Sequence, residues 1–266
     1  MPSVLPHERR RALVRGIPDA FTAALSGFFG DGVVDLDQAR VQHAAYVAAL
    51  RELGVEVQEL PCDERFPDCC FVEDQVVVVD GRALVPMVGH PTRDGEQGPI
   101  LETLSPHVDL ERMDGEARLD GGDVVRVGGR FLVGLSSRTN EAGAQRLEGF
   151  LGPMGYPLER VPLSEGALHL GSISSSPSQG LFITPEGWLP METLERLDAE
   201  GVEVVVVPSE EVYGCNTLAV GPSVLVADGY PSVAQALLDR GHDILPLQMS
   251  EIRAVDGSLT CMSVFY

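Results

Sequence analysis

The chain has 266 residues, with 40 acidic against 19 basic side chains and a formal net charge of −21. That field disfavours nucleic acid and anionic membranes as partners and favours a small cation. No stretch approaches the roughly 18 apolar residues of a membrane helix. Residues 1–11 lack the apolar run of a signal peptide, and five cysteines, two of them adjacent at Cys69 and Cys70, do not suit a secreted disulfide framework. A cytoplasmic location is expected.

A strand is predicted around Leu13–Ile17, followed by a loop marked by Pro18 and the Gly-Phe-Phe-Gly-Asp-Gly run at 27–32. A long helix follows, capped by Asp35 or Asp37. Its inner stripe is Ala39, Tyr46, Val47, Leu50 and Leu53, and Gly54 ends it. Val55–Leu60 alternates as a strand. From there one unit recurs: strand, tight turn, return strand, helix, strand.

The first unit has strand Phe71–Val79, turn Asp80-Gly81, strand Arg82–Met87, helix Ile100–Leu104 and strand His107–Met113. In the second, strand Gly122–Val127 turns at Gly128-Gly129 into Arg130–Leu135, before helix Asn140–Leu151 and strand Leu158–Leu163. The third has strands His169–Ser175, Leu181–Thr184 and Val202–Val207, with helix Met191–Ala199 before the last. The fourth has strands Asn216–Val220, Val224–Ala227 and Asp243–Leu247, with helix Ser232–Asp239. The fifth begins with Leu259–Phe265, and the N-terminal strand, long helix and Val55–Leu60 supply its missing parts.

Five ββαβ repeats closed by pairing N- and C-terminal segments make a ring, an α/β fold forming a single domain over residues 1–266. Equivalent points are Asp74, Asp120, His169, Asn216 and Cys261, spaced by 46, 49, 47 and 45 residues. Taken singly, Cys261 reads as a small buried hydrophobe, His169 as a hydrogen-bonded core residue and Asp120-Gly-Gly-Asp123 as a turn. Glu73 and Asp74 inside an apolar strand are harder to place, because buried carboxylates are costly unless paired. If the first strands line the axis, Asp74, Asp120, His169 and Cys261 converge there.

Cysteine with histidine suggests covalent catalysis by a thiolate. A free thiol with pKa about 8.5 is only slightly ionised at neutral pH, and surrounding carboxylates suppress ionisation further. Such a site works if the substrate is itself a cation. A guanidinium clamped by Asp74 would stabilise the thiolate by Coulomb attraction.

These residues resemble the dimethylarginine dimethylaminohydrolase family of the guanidino-group-modifying, or pentein, superfamily. Matching segments run in family order along almost the whole chain. They include Val-Arg-Gly-Ile-Pro (14–18), Phe-Val-Glu-Asp (71–74), Leu-Asp-Gly-Gly-Asp-Val (119–124), Gly-Leu-Ser-Ser-Arg-Thr-Asn (134–140), Leu-His-Leu (168–170) and Val-Asp-Gly-Ser-Leu-Thr-Cys (255–261). The resemblance implies a five-bladed α/β propeller that hydrolyses N-methylated arginine to citrulline and a methylamine, without metal or organic cofactor.

By position, the resemblance makes Cys261 the nucleophile, His169 the general acid and base, and Asp120 the residue that orients it. Glu73 and Asp74 would bind the guanidinium, and Arg93 and Arg138 the α-carboxylate. Asp68 and the Ile17 carbonyl would take the α-amino group, with the Ile17 loop as a lid, and the Val255 carbonyl would lie near the head group. Two positions depart from the family: Gly171 stands where a Lys is usual, and Cys215-Asn216 where Asn-Cys is common. Cys215 is read as structural, and Cys62, Cys69 and Cys70 lack zinc-site spacing. The expected partner is a small cationic guanidino amino acid, and the flat rims of such a ring favour a homodimer. A deiminase of an unmethylated guanidine uses the same chemistry, and a non-catalytic propeller binding protein is the reading from another class.

Overall fold

The structure, a computed structural model, describes residues 3–266. Four three-stranded sheets repeat one pattern: a short inner strand, a middle strand antiparallel to it, and an outer strand parallel to the middle one. They comprise Val77–Val79, Arg82–Val85 and Asp109–Arg112; Val124–Val127, Arg130–Leu135 and Leu158–Pro162; Ser175–Ser178, Leu181–Pro185 and Glu203–Val207; and Leu218–Val220, Ser223–Ala227 and Asp243–Leu247. Parallel neighbours cannot be joined by a tight turn, so each outer strand is reached through a helix: Gln97–Leu104, Glu141–Leu151, Met191–Ala199 and Pro231–Leu238 respectively.

The fifth sheet joins the two ends of the sequence. C-terminal Val264–Phe265 pairs antiparallel with Arg11–Arg15, in the register Ala12↔Phe265 and Leu13↔Val264, and Glu56–Leu60 pairs parallel on the other side. The long helix Leu36–Glu52 is the crossover. Asp35 caps it by accepting the Gln38 N–H, and Gly54 follows its end at φ +82°. Tyr46 and Leu50 are fully buried on its inner face, each contributing roughly 1.5–3 kcal/mol. The Tyr46 hydroxyl also bonds Ser263 Oγ at 2.7 Å, so the helix grips the segment that carries Cys261.

Inner strands are buried on both faces, whereas outer strands are half-exposed. This is why Val77–Val79 and Leu218–Val220 read as continuous apolar runs rather than alternating ones. The first hairpin turns on Asp80 and Gly81, at φ +48° and +75°, as two-residue hairpins require.

The start of each inner strand is a correction. Phe71–Val79 was expected as one strand, but Val72–Gln75 is a turn of 3-10 helix and the strand begins at Val77. Short helical turns likewise replace the expected strand starts at Gly121–Asp123, Leu170–Ile173 and Thr260–Met262, while in the fourth unit the helical segment Ser209–Cys215 precedes the expected start and the strand begins at Leu218. Turns such as Val72–Gln75, Gly121–Asp123 and Thr260–Met262 are too short to display a helical period, so periodicity could not separate them from the start of a strand. The chemistry-bearing residues therefore sit on or beside these turns, above the strands.

Candidate active site

The turn Val72–Gln75 touches both Gly121–Asp123 and Thr260–Met262, and Leu170–Ile173 touches Gly121–Asp123. The two glycines after Asp120 allow that approach. A Cβ at Gly121 would lie 2.1 Å from the Glu73 carbonyl oxygen, and one at Gly122 would lie 2.8 Å from both Asp74 Oδ1 and His169 Nδ1. The Gly122 N–H donates to Asp74 Oδ1 at 3.0 Å. Gly122→Ala is expected to displace Asp74 and His169 together and lower kcat/KM by roughly 100-fold, the usual cost of an ångström-scale misplacement. Steady-state kinetics on methylarginine would check it.

His169, fully enclosed, presents Nε2 to Asp120 Oδ2 at 3.1 Å, while its Nδ1 lies 4.0 Å from Asp74 Oδ1. Asp120 is held in turn by the Gly89 N–H at 2.6 Å. Burial alone would push the imidazole pKa down, but Asp74, Asp123 and Asp120 together outweigh it and raise it to about 9. The imidazole is thus protonated at neutral pH. Asp74 also pairs with the Arg93 guanidinium; although burial opposes it, the His169 and Arg93 charges hold this carboxyl below the usual range.

Cys261 is 7% exposed and its Sγ lies 3.2 Å from Ser258 Oγ. Burial, then the Glu73 and Asp74 charges, push its thiol up to about 12, so it is neutral at physiological pH. Its neighbour Thr260 donates from Oγ1 to Glu73 Oε2 at 2.8 Å. Asn216, the fourth unit's equivalent residue, is a strut. Its Nδ2 donates to the Gly171 carbonyl at 2.7 Å, and its Oδ1 accepts the Thr260 N–H at 3.1 Å. The histidine turn and the cysteine turn are thereby tied together across the axis.

Cys261 and His169 open onto one cavity of about 210 Å³, whose lining also includes Asp74, Asp68, Arg93, Arg138 and Val255. Seven of the ten residues expected from the sequence meet there. Asp120 stands behind His169, as an orienting group would. Glu73 is off the lining and stands beside Thr260 instead.

Ile17, whose carbonyl was expected to take the α-amino group, is not on the lining: its side chain is packed in the core, and Leu25, Ser26 and Phe28 line the cavity from the loop that follows it. The Leu25 N–H donates to Asp68 Oδ1 at 3.1 Å. The loop is latched further along, where the Asp256 carboxylate accepts the N–H groups of Phe28, Phe29 and Gly30. No local signal marked Leu25, because its partner is 43 residues away. Asp256, beside Gly257 and at φ +60°, carries a turn signal that the sequence reading did not use.

The two arginines also differ. Arg93 is buried, and its guanidinium bonds Asp74, Glu96 and the Phe71 carbonyl. Glu96, three residues on, was the overlooked signal. Arg138 is half-buried on the cavity wall, and among the described residues its guanidinium has no hydrogen bond or ion pair. Burial raises the Asp68 carboxyl, against the pull of Arg93, the Leu25 N–H and Arg138. His90 shares this mouth, its pKa lowered by burial and by Arg138.

Asp74, Asp120 and His169 each bring one potential donor atom within 4.8 Å. All three already engage one another, backbone N–H groups or Arg93, an arrangement that suits proton handling. Cys69, Cys70 and Cys215 are buried with pKa values raised chiefly by burial, as expected of inert thiols.

The chain as a whole has counterparts among known proteins. A model of the family "N,N dimethylarginine dimethylhydrolase, eukaryotic" matches residues 33–265. The chain is 31% identical to the N(G),N(G)-dimethylarginine dimethylaminohydrolase of Pseudomonas aeruginosa over 97% of its length and 98% of that protein. It is 32% identical to the Streptomyces coelicolor protein of the same name over 96% of both. A structure of the Pseudomonas enzyme, a cysteine-to-serine mutant complexed with citrulline, superposes with a TM-score of 0.88 at 28% identity, covering 97% of this chain and 99% of that one. The N-terminal domain of a cyanobacterial arginine dihydrolase shares the fold, with a TM-score of 0.85 at 15% identity over 96% of each chain. With the match running from the long helix to the closing strand, the chain belongs to the dimethylarginine dimethylaminohydrolase family.

Proposed function

We propose that the protein hydrolyses N-methylated L-arginine to L-citrulline and the corresponding methylamine. The observation that carries the reading is the convergence of Cys261, His169, Asp68 and Asp74 on one cavity, where burial and the acids favour a neutral thiol and the acids favour a protonated imidazole. Such a site awaits a cation. A guanidinium entering beside Asp74 finds acceptor capacity, since each carboxylate oxygen has two lone pairs and Arg93 and Gly122 occupy only one apiece. Its charge offsets the acids that hold the Cys261 proton, and that proton departs to solvent as the cation settles.

The thiolate then attacks the guanidinium carbon, forming the S–C bond. His169 gives its proton to the methylated nitrogen, and the C–N bond breaks to release the amine. The now neutral imidazole removes a proton from water, which attacks the thiouronium carbon. Collapse breaks the S–C bond, returns the thiol and releases citrulline. The Asp120 bond keeps the ring aimed in both half-reactions. The Leu25–Phe28 loop covers the cavity and restricts water until the amine has left.

Arg138, the unpaired cation on the wall, holds the α-carboxylate; Arg93 acts mainly by fixing Asp74. Arg138→Ala is therefore expected to raise KM for dimethylarginine roughly 10–100-fold, the scale of a lost charge-assisted hydrogen bond, with kcat little changed. Turnover of a guanidine lacking the carboxylate should be insensitive to the change. Incubation with arginine, monomethylarginine and asymmetric dimethylarginine, followed by citrulline assay, tests the substrate assignment. A preference for plain arginine would overturn it in favour of deiminase activity.

A further inference from the structure

Asp123 follows Asp120 by three residues and is fully buried, yet it does not line the cavity. Its Oδ1 accepts the Leu170 N–H at 3.0 Å, from the residue directly after His169. Its Oδ2 accepts the hydroxyls of Ser136 and Thr139, both at 2.6 Å. With their protons committed to the carboxylate, those hydroxyl oxygens are free to accept. Ser136 Oγ takes the N–H groups of Arg138 and Thr139 at 3.0 and 3.2 Å, and Thr139 Oγ1 takes the Asp120 N–H at 3.1 Å.

We propose that Asp123 is a positioning residue that sets His169, Asp120 and the Arg138 anchor in register through this one carboxylate. The proposal rests on the roles given above to His169 and Arg138. It explains why three separated segments of the chain, 120–123, 136–139 and 169–170, keep a fixed relation although no strand pairs them directly at this level.

An amide cannot replace the carboxylate. With its oxygen towards Leu170, the Asn amino group would face two hydroxyls that must donate, and both would have to reverse. With the oxygen towards the hydroxyls, the amino group would confront the Leu170 N–H. Either orientation leaves a buried donor without an acceptor or turns Ser136 and Thr139 away from the backbone they hold. The Asp123 charge also adds to the fields of Asp74 and Asp120 around the imidazole, with the Cys261 thiol on the same cavity. The groups facing Asp123 itself are His169 and Asp120; burial, only partly offset by His169 and the two hydroxyls, raises its carboxyl to about 6, so it is ionised at neutral pH.

The test compares Asp123→Asn, Ser136→Ala and Thr139→Val by two readouts. The first is ¹⁵N-histidine NMR titration of His169, assigned by its loss in His169→Gln, which needs no substrate. The second is citrulline affinity by calorimetry in a Cys261→Ser background. Asp123→Asn should lower the His169 pKa and weaken citrulline roughly 10–100-fold, the usual loss when a group that orients a ligand is removed. Ser136→Ala should weaken citrulline while leaving the titration nearly unchanged, and Thr139→Val should move the titration more than the affinity. Unchanged affinity in both Asp123→Asn and Ser136→Ala would overturn the proposal, even if the lost charge alone shifted the titration. Should Asp123→Asn fail to fold, the two hydroxyl variants decide: the stated split supports the proposal, and wild-type behaviour in both contradicts it. Absence of citrulline release by the unaltered protein would instead refute the activity, leaving the His169 titration as an independent reading of the Asp123 network.

Discussion

Cys261→Ser is expected to abolish turnover, lowering kcat on the order of 10⁵-fold, with the fold and melting temperature nearly intact. Serine has close to the same volume as cysteine, and Ser258 Oγ at 3.2 Å from the sulfur already offers a hydrogen-bond partner to a hydroxyl. Packing and polar satisfaction are therefore preserved. Chemistry is not: a hydroxyl is far less acidic than a thiol, and the fields of Glu73 and Asp74 that hold the thiol neutral would oppose an alkoxide more strongly. Substrate should still bind, because the acids and Arg138 are untouched. Retained turnover in this variant would remove the covalent mechanism. A matched loss of melting temperature would assign Cys261 to packing instead.

Asp74→Asn should produce the second largest effect, on both activity and stability. Asp74 is 2% exposed and serves Arg93, the Gly122 N–H and the electrostatics of His169 at once. If the asparagine oxygen stays on Gly122, its amino group faces the Arg93 guanidinium, donor against donor. Glu96 keeps part of that buried charge paired, so the destabilisation should be about 3 kcal/mol rather than more, or roughly 6–12 °C in melting temperature for a chain of this size. Loss of the guanidinium clamp should lower kcat/KM by at least about 100-fold.

Asp74 also governs a pH dependence with a definite sign. His169 binds its proton more tightly in the folded protein than in the unfolded chain, because Asp74, Asp123 and Asp120 outweigh burial and raise its pKa from 6.5 to about 9. That contribution to stability is complete below pH 6.5 and is lost as pH rises through 9. Asp74→Asn should shrink it and move its loss to lower pH. Thermal melts between pH 6 and 10 on both proteins would show this as a shallower decline in the variant.

The ring was legible in the sequence because its punctuation is local. Asp80-Gly81, Gly128 and Gly221 mark hairpins by positive φ, and Asp35 and Asn140 cap their helices through side chains a few residues away. The central cluster was legible for a different reason: Asp74, Asp120, His169 and Cys261 recur at one point of the repeat, so periodicity substituted for spatial information. What escaped was non-local. Leu25 meets Asp68 across 43 residues and Asp256 meets Phe28 across 228, and neither pair shares a repeat position. Arg93 was assigned to the α-carboxylate by the family resemblance, and its burial went unseen because a lone arginine in a loop gives no sign of it. Its fixation by Asp74 and Glu96 depends on the chain folding back over it. The helical turns at the inner-strand starts were missed because a single turn is too short to display a helical period.

The claim on which the mechanism depends is that a cation in the cavity converts a neutral thiol into a nucleophile. It can be measured with chloroacetamidine and chloroacetamide, two alkylating agents of similar shape that differ in charge. Their rates at pH 7 would be followed at Cys261 by peptide mass spectrometry, with exposed Cys62 as the internal reference for intrinsic reactivity. The account predicts that the amidinium modifies Cys261 at least about 100-fold faster than the amide after normalisation to Cys62, since the bound charge must offset the burial and the acids that push the thiol up to about 12. Equal normalised rates would contradict it.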